Sequence, residues 1–423
     1  MAFEIVALIA IAVTCGLTLL VLFEPGLSYR VVAPGLALDS AAFIRLVAAV
    51  SDSEVRHADT FEVLTNGSHF YASELAAIAA ASASVHIEAF IFHPGDIGDR
   101  FIAALTERAR SGVKVRLVVD AIGSFPTPNR YFASLRAAGA VVAWYQPIRW
   151  YTLKRVNNRT HRELVIVDGQ VGYIGGAGIG AHWINDRSGA SPPWRDTMVR
   201  VTGSIVGGLQ TAFVENWVES TGEILTGADS FPVAAPTGGP GNALVVSSAP
   251  SPARGSRARV LFQLLLASAR ESIEINSPYF LPDESARGEL IRAKQRGVRV
   301  RVITPGDANN HPVARRASRR RYGELLRAGI EIHEYQPGMI HAKILVVDGT
   351  WSVLGSTNFD NRSFDLNDEV NLAVMAPALA ARLLDDFRAD LAATRSISYQ
   401  TWIERPWRER LLAALESFLE RQE

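Results

Sequence analysis

The chain has 423 residues, of which 43 are basic, 43 are acidic and 48% are hydrophobic. That length holds two or three domains with sizeable cores, and a net charge of zero gives no overall field to draw in nucleic acid. The single cysteine, Cys15, excludes an internal disulfide framework and any cysteine-built metal cage. It lies in an apolar run and reads as a small buried hydrophobe. A lipoprotein anchor is the sharper alternative, but Ala12-Val13-Thr14 before it fits that signal poorly.

Residues 5–23 carry no charge and are bounded by Glu4 and Glu24. As a helix they span roughly 28 Å, about the hydrocarbon thickness of a bilayer. A cleaved signal peptide is the rival, and it lacks a basic leading segment and a small-x-small cleavage site. The expectation is an uncleaved transmembrane anchor over residues 1–25, followed by a connecting segment over 26–57. No Lys or Arg precedes the run, while Arg30, Arg45 and Arg56 follow it. The positive-inside rule then puts the body in the cytoplasm, on a single-pass protein of the cell membrane.

Residues 58–220 alternate helix and strand: helix 73–84, strand 85–92, helix 100–111, strand 113–119, helix 130–138, strand 141–145. Such alternation implies an α/β fold with a mostly parallel sheet covered on both faces. Residues 257–395 repeat the order, 273–280 matching 85–92, 297–302 matching 112–117, and 328–337 matching 138–147. The unit is of domain size, so the pattern is a duplication and not a solenoid. Between the halves, 221–256 is rich in Gly, Pro, Ser and Ala and reads as a linker with a short strand at 243–246. Residues 396–423 form an amphipathic helix, with Trp402, Trp407, Leu411, Leu412 and Leu415 packed on the body.

The chemistry concentrates in His341-Ala342-Lys343-Ile344-Leu345-Val346-Val347-Asp348-Gly349. Read as a buried strand, it sends His341 and Lys343 out of the same face and ends at an Asp-Gly turn. An imidazole can attack phosphorus or carry a proton, and an ammonium neutralises phosphoryl oxygens. Seventeen residues after His341 stands Asn358, in Gly355-Ser356-Thr357-Asn358, whose amide can donate to the same phosphate. The plan recurs 180 residues earlier as His161-Arg162-Glu163-Leu164-Val165-Ile166-Val167-Asp168-Gly169, again followed by a Gly pair, Gly175-Gly176. Relative to the second half, the first carries about ten extra residues before its motif, 151–159, rich in Arg, Lys, Asn and Tyr. They read as a loop at the site mouth.

These paired strings resemble the paired H-x-K-x-x-x-x-D motifs of the phospholipase D superfamily. Gly355-Ser356-Thr357-Asn358-Phe359-Asp360-Asn361-Arg362-Ser363-Phe364 resembles its bacterial cardiolipin synthase branch. The likeness covers roughly residues 58–423. It implies two duplicated αβα sandwich lobes of phospholipase D type, with each lobe lending one histidine to a shared cleft. It also implies phosphatidyl transfer at a membrane, with phosphatidylglycerol as substrate, no cofactor and no metal. By that likeness His161 is the nucleophile that becomes a phosphohistidine. His341 is then the acid that protonates the leaving alcohol and the base that activates the next one. Lys343 and Asn358 bind phosphate.

Each such histidine needs a carboxylate on its other nitrogen. Glu369, heading 369–374, is expected to serve His341, and its positional twin Asp196, heading 196–201, to serve His161. Asp168 and Asp348, closing the motifs, read as structural ties for the turn. Ser356, Arg159 and His93 are the substrate-binding candidates.

The first motif departs from the pattern. Glu163 stands where Lys is expected, and Gly178 stands where Asn is. A carboxylate 4 Å from a phosphodiester repels it by about 1–4 kcal/mol. Three readings stay open. Glu163 pairs with Arg159, Arg162 or Arg195, or it binds an acceptor hydroxyl or amine, or the first half is decayed. At the level of function, rivals to cardiolipin synthesis are hydrolysis by water, a nuclease, and a non-catalytic lipid binder. Nucleic acid is not the expected partner, since aromatic-basic interleaving is sparse. The run Arg315, Arg316, Arg319, Arg320, Arg321 either attracts anionic headgroups or is a solvated helix face.

Overall fold

The computed structural model describes residues 29–32, 35–150, 152, 155–184, 192–232, 241–249 and 256–406, with residues 5, 6, 12–14 and 16 besides. The expected membrane span at 5–23 lies almost wholly outside them. Among the described residues no helix is long and apolar enough to cross a membrane. Of the expected amphipathic helix over 396–423, residues 407–423 lie outside them, and the helix within them is confined to Tyr399–Ile403.

In chain order the strands are β1 (Arg56–Ala58), β2 (Thr60–Thr65), β3 (Ser84–Ala89), β4 (Lys114–Asp120), β5 (Val141–Tyr145), β6 (Arg159–Thr160), β7 (Leu164–Val167), β8 (Val171–Gly175), β9 (Thr197–Thr202) and β10 (Gly241–Ser248). The second half adds β11 (Ser272–Asn276), β12 (Phe280–Leu281), β13 (Arg299–Pro305), β14 (Glu331–Tyr335), β15 (Ile344–Val347), β16 (Trp351–Gly355), β17 (Phe359–Asp360), β18 (Asn367–Met375) and β19 (Thr394–Ile397). The first sheet runs β2-β9-β8-β7-β3-β4-β5. The second contains the matching order β10-β18-β16-β15-β11-β13-β14, extended by β1 at one edge and β19 at the other. The duplication is therefore one of topology, strand for strand.

The expectation of mostly parallel sheets needs correction. Parallel pairing within each repeated sheet is confined to β3-β4-β5 and to β11-β13-β14; the other neighbours along those orders are antiparallel. The reason is the motif turn. Asp168 and Gly169 have φ of 53° and 61°, and Asp348 and Gly349 have 51° and 58°. Two successive left-handed residues make a tight hairpin that reverses the chain, and Asp-Gly suits it. The aspartates also hold it down. Asp168 accepts from the backbone N–H groups of Ser82, Ala83 and Ser84, and Asp348 from those of Arg270, Glu271 and Ser272.

The segment read as a connection also does more. Helix α1 (Ala41–Val50) is capped by the Ser40 hydroxyl. It buries Phe43, Ile44 and Val47 with Leu261, Leu265 and Trp351 in the second core, and Trp351 donates to the Leu38 carbonyl at 2.7 Å. The strand inside the expected linker, β10, is eight residues long and pairs with β18 and β1. At the C-terminus, Trp402 of α2 (Tyr399–Ile403) covers Gly323, where an added Cβ would lie 2.3 Å from its ring.

Candidate active site

The motif residues are in place before their strands begin. The expected strand starts at Ile344, three residues after His341, and its twin at Leu164. The short approach segments pair across the molecule. β6, just ahead of His161, lies parallel to the start of β18, and the His161 N–H donates to the Asp368 carbonyl at 2.9 Å. In the mirror arrangement Ile340 bridges Arg195, and the His341 N–H donates to the Arg195 carbonyl at 2.7 Å.

This interlock overturns the expected partnering of histidines and carboxylates. His161 Nδ1 lies 3.2 Å from Glu369 of the second lobe. His341 Nδ1 lies 2.8 Å from Asp196 of the first. Each motif segment is hydrogen-bonded to the opposite lobe, directly beside that lobe's carboxylate strand. The nearest carboxylate is then the other lobe's. Sequence symmetry alone paired each histidine with its own half.

Both carboxylates are themselves held. Asp196 accepts from the Trp183 indole at 2.8 Å and from the Thr197 N–H at 2.8 Å. Glu369 accepts from the Ser356 hydroxyl and, at 3.3 Å, from the Asn367 amide. Burial by itself raises the pKa of each. The facing histidines outweigh it, with Lys343 adding to the effect at Asp196, so both stay below the usual carboxylate range.

Lys343 is the hub. Its ammonium lies 3.0 and 3.2 Å from the two ring nitrogens of His341 and donates to the His341 carbonyl at 2.9 Å. It presses against Gly176 of the first lobe, where a Cβ would sit 2.9 Å away. Burial pushes Lys343 down to about 8 against the pull of Asp196, Glu369 and Glu163. Burial and this ammonium together push His341 down to about 4. Nδ1–H points at Asp196, so the neutral imidazole keeps Nε2 bare. His161 also acts on the charge of His341, and Lys343 feels carboxylates of both lobes. The two motifs thus address one cleft.

Glu163 pairs with none of the three arginines considered. Arg159 lies against Asp120, Arg162 against Glu215 and Asp368, and Arg195 against Asp390 and Asp386. The carboxyl of Glu163 is buried and takes the Ile91 N–H at 3.3 Å. Burial holds its pKa well above the usual range, although Lys343 opposes this. It fills the room left by Gly178, whose Cβ would be 2.8 Å from Glu163 Oε1 and 2.7 Å from the Ile91 carbonyl. The two departures from the motif are sterically one.

The remaining candidates divide. Asn358 is buried with its side-chain oxygen unpartnered, close to β17, while its N–H takes Ser363 Oγ at 3.1 Å. Ser356, expected to touch substrate, has its hydroxyl committed to Glu369. Arg159, expected at the mouth, is 1% exposed and donates to the Gln146 carbonyl at 2.8 Å, so it anchors its own loop. His93 lies 3.0 Å from the Gly123 carbonyl, and its ring meets that of His182, 5.8 Å away. Arg315 and Arg319 of the basic run turn onto buried Glu334.

Three residues had no assigned role in the sequence reading. Trp183 and Trp194 wall His341, with ring centres 5.6 and 5.0 Å away. Asp360, buried beside Glu369 and His161, is pushed up to about 7, first by burial and then by Glu369. Its place in Asp360-Asn361-Arg362-Ser363 signals only a helix cap, which it also is, taking the Ser363 N–H at 2.7 Å. Nothing in the spacing of Trp183 or Trp194 marks them.

Two duplicated α/β lobes, with each motif histidine held by the other lobe's carboxylate, define a phospholipase D-type enzyme. Phosphatidylserine synthase of Haemophilus influenzae has the same fold, with a TM-score of 0.70 over 90% of this chain and 99% of that one, at 14% identity. Residues 75–185 and 263–391 match the family described as "Cardiolipin synthase, PLD-like domain". The cardiolipin synthase of Geobacillus kaustophilus is 34% identical over 378 residues, 89% of this chain and 75% of that one. The major cardiolipin synthase of Bacillus subtilis is 32% identical over 354 residues, 82% and 72% of the two chains. The chain belongs to the cardiolipin synthase branch of the phospholipase D superfamily, a family of phosphatidyltransferases.

Proposed function

We propose that the protein makes cardiolipin from two molecules of phosphatidylglycerol at a membrane, through a phosphatidyl-histidine intermediate. The observation that carries the reading is the crossed pair of histidine–carboxylate contacts closing on Lys343. A composite site of this kind has two imidazoles for two proton-coupled displacements at one phosphorus.

His161 Nε2 attacks the phosphorus of the first lipid while Glu369 steadies Nδ1–H and the imidazolium that forms. Lys343 and Asn358 draw the phosphoryl oxygens. His341 is neutral in the free site, so it takes up its proton with the substrate. The diester's negative charge offsets the ammonium that depresses the imidazole, and Asp196 favours the imidazolium. His341 then protonates the departing glycerol and later deprotonates the hydroxyl of the second phosphatidylglycerol, which displaces His161. Ser356 and Asn367 hold Glu369, and Trp183 holds Asp196. With water as acceptor the same site gives phosphatidate.

Purified protein in vesicles of phosphatidylglycerol is expected to release glycerol and cardiolipin. Phosphatidate alone supports hydrolysis; cleavage of single-stranded DNA with no lipid product supports a nuclease.

A further inference from the structure

Two loops of the first lobe leave large apolar side chains in solvent. Ile122 and Phe125, after β4, are 39% and 80% exposed; Ile148 and Trp150, after β5, are 56% and 84% exposed. β4 and β5 are parallel neighbours, and the Ala121 N–H donates to the Tyr145 carbonyl, so the loops leave the sheet side by side.

They stand at the site. Gly123 lies against Phe90, whose ring meets that of His161 at 5.1 Å. Asp120, at the root of the first loop, accepts from the Thr160 N–H beside His161. Asn157 of the second loop accepts from Arg362 of the other lobe at 2.9 Å.

The charge is one-sided. Residues 121–131 and 146–158 contain Arg130, Arg149, Lys154 and Arg155 and no Asp or Glu, in a chain whose charges balance. Arg155 lies 3.6 Å from Glu219, outside the loops. The twin loop of the second lobe is Gly306-Asp307-Ala308-Asn309-Asn310-His311, polar and carrying an acid. The apolar rim is therefore no requirement of the fold.

The chain also enters the body at this end. The Tyr29 N–H donates to Ser285 Oγ at 2.9 Å, at the head of the helix that follows β12, and β12 pairs with β17 at Asp360. The uncharged run 5–23 lies just upstream.

We propose that these two loops are a membrane-seating rim that presses the cleft mouth onto an anionic bilayer, so that lipid headgroups reach the histidines without leaving the surface. Trp and Phe with flanking Arg are the residues that lodge at such an interface. The second lobe's polar loop stays in water, and the cleft meets the bilayer tilted. This rests on the lipid-transfer reading for the reason a bilayer should be there; its test does not need turnover.

The full chain carrying Cys15→Ser receives one new cysteine at Phe125 or, separately, at Trp150, labelled with an environment-sensitive fluorophore. Asn310→Cys is the control. In phosphatidylglycerol vesicles the labels at 125 and 150 are expected to shift to the blue and be quenched at least about two-fold by nitroxide lipids, with the control unmoved. Labels at 125 and 150 that stay as wet and unquenched as the control overturn the proposal. So does a blue shift that nitroxide lipids do not quench: dependent on protein concentration it marks a second copy, and independent of it a segment of the same chain. Quenching in a protein that makes no cardiolipin leaves the rim standing and removes the lipid-transfer reading instead.

Discussion

The two lobes share a strand order and divide the chemistry unequally. The second lobe's motif carries Lys343 and Asn358; at the same positions the first carries Glu163 and Gly178. What the first lobe keeps is its histidine and Asp196, and through the crossed contacts each lobe still orients the other's imidazole. A duplicated enzyme can lose phosphate-binding groups from one half when the other half's lysine reaches across. Lys343 does so, lying against Gly176. On the proposed mechanism the first half is a specialised half, with burial pushing the Glu163 carboxyl well above its usual range.

Lys343→Ala attacks that inequality most strongly. Loss of the ammonium at the phosphate is expected to lower kcat/KM by about 10²–10³-fold, whereas Glu163→Gln, which keeps the shape of the buried side chain, stays within about three-fold. Equal losses at the two positions in steady-state kinetics contradict the division of labour.

The crossing comes next. Asp196→Asn, which can no longer accept the Nδ1 proton, is expected to cost about 10²–10⁴-fold in kcat, by the tautomer argument. In nitrogen-detected NMR it should disturb the Nδ1–H signal of His341 and leave that of His161. A response at His161 instead means that each histidine is served by its own lobe.

His341, pushed down to about 4 in the free site, should titrate higher once inorganic phosphate sits against Lys343. An upward move of about one unit corresponds to roughly 1.4 kcal/mol of added preference for the imidazolium. An unmoved titration removes the substrate-assisted proton from the mechanism.

Smaller effects belong to packing. Gly178→Ala meets the Ile91 carbonyl and Glu163 at once. It is expected to destabilise the first lobe by about 1–3 kcal/mol, read as a lowered Tm. Glu74 is buried and pushed up to about 8 from 4.5. Its folded form binds a proton that its unfolded form has released above 4.5, so it lowers stability as pH rises from about 4.5 to 8. Glu74→Gln should flatten that fall in Tm between pH 6 and 8, with no comparable change from an exposed Glu54→Gln.

The duplication, the motif residues and the alternation of helix and strand were legible in the chain, because periodicity and repeated spacing survive in one dimension. The hairpin sense of β7-β8 and β15-β16 was carried by Asp-Gly, yet the count of helix-strand units outweighed it. Crossed partnering was not legible. It depends on β6 lying beside β18 and on Ile340 bridging Arg195, and contacts between lobes leave no mark in either repeat. The same holds for Ser356 and Arg159, whose polar groups look free in a string and are committed once folded. Trp183, Trp194 and Asp360 join the site through packing alone.

The most direct test is a rapid acid- or base-quench of the protein with phosphatidylglycerol labelled in its phosphatidyl phosphate, followed by peptide mapping. The account predicts label on the peptide bearing His161, absent from His161→Asn, with cardiolipin formed as the label decays. Cardiolipin formed at full rate with label on neither His161 nor His341, or by a His341→Asn variant, would contradict two imidazoles sharing one phosphorus.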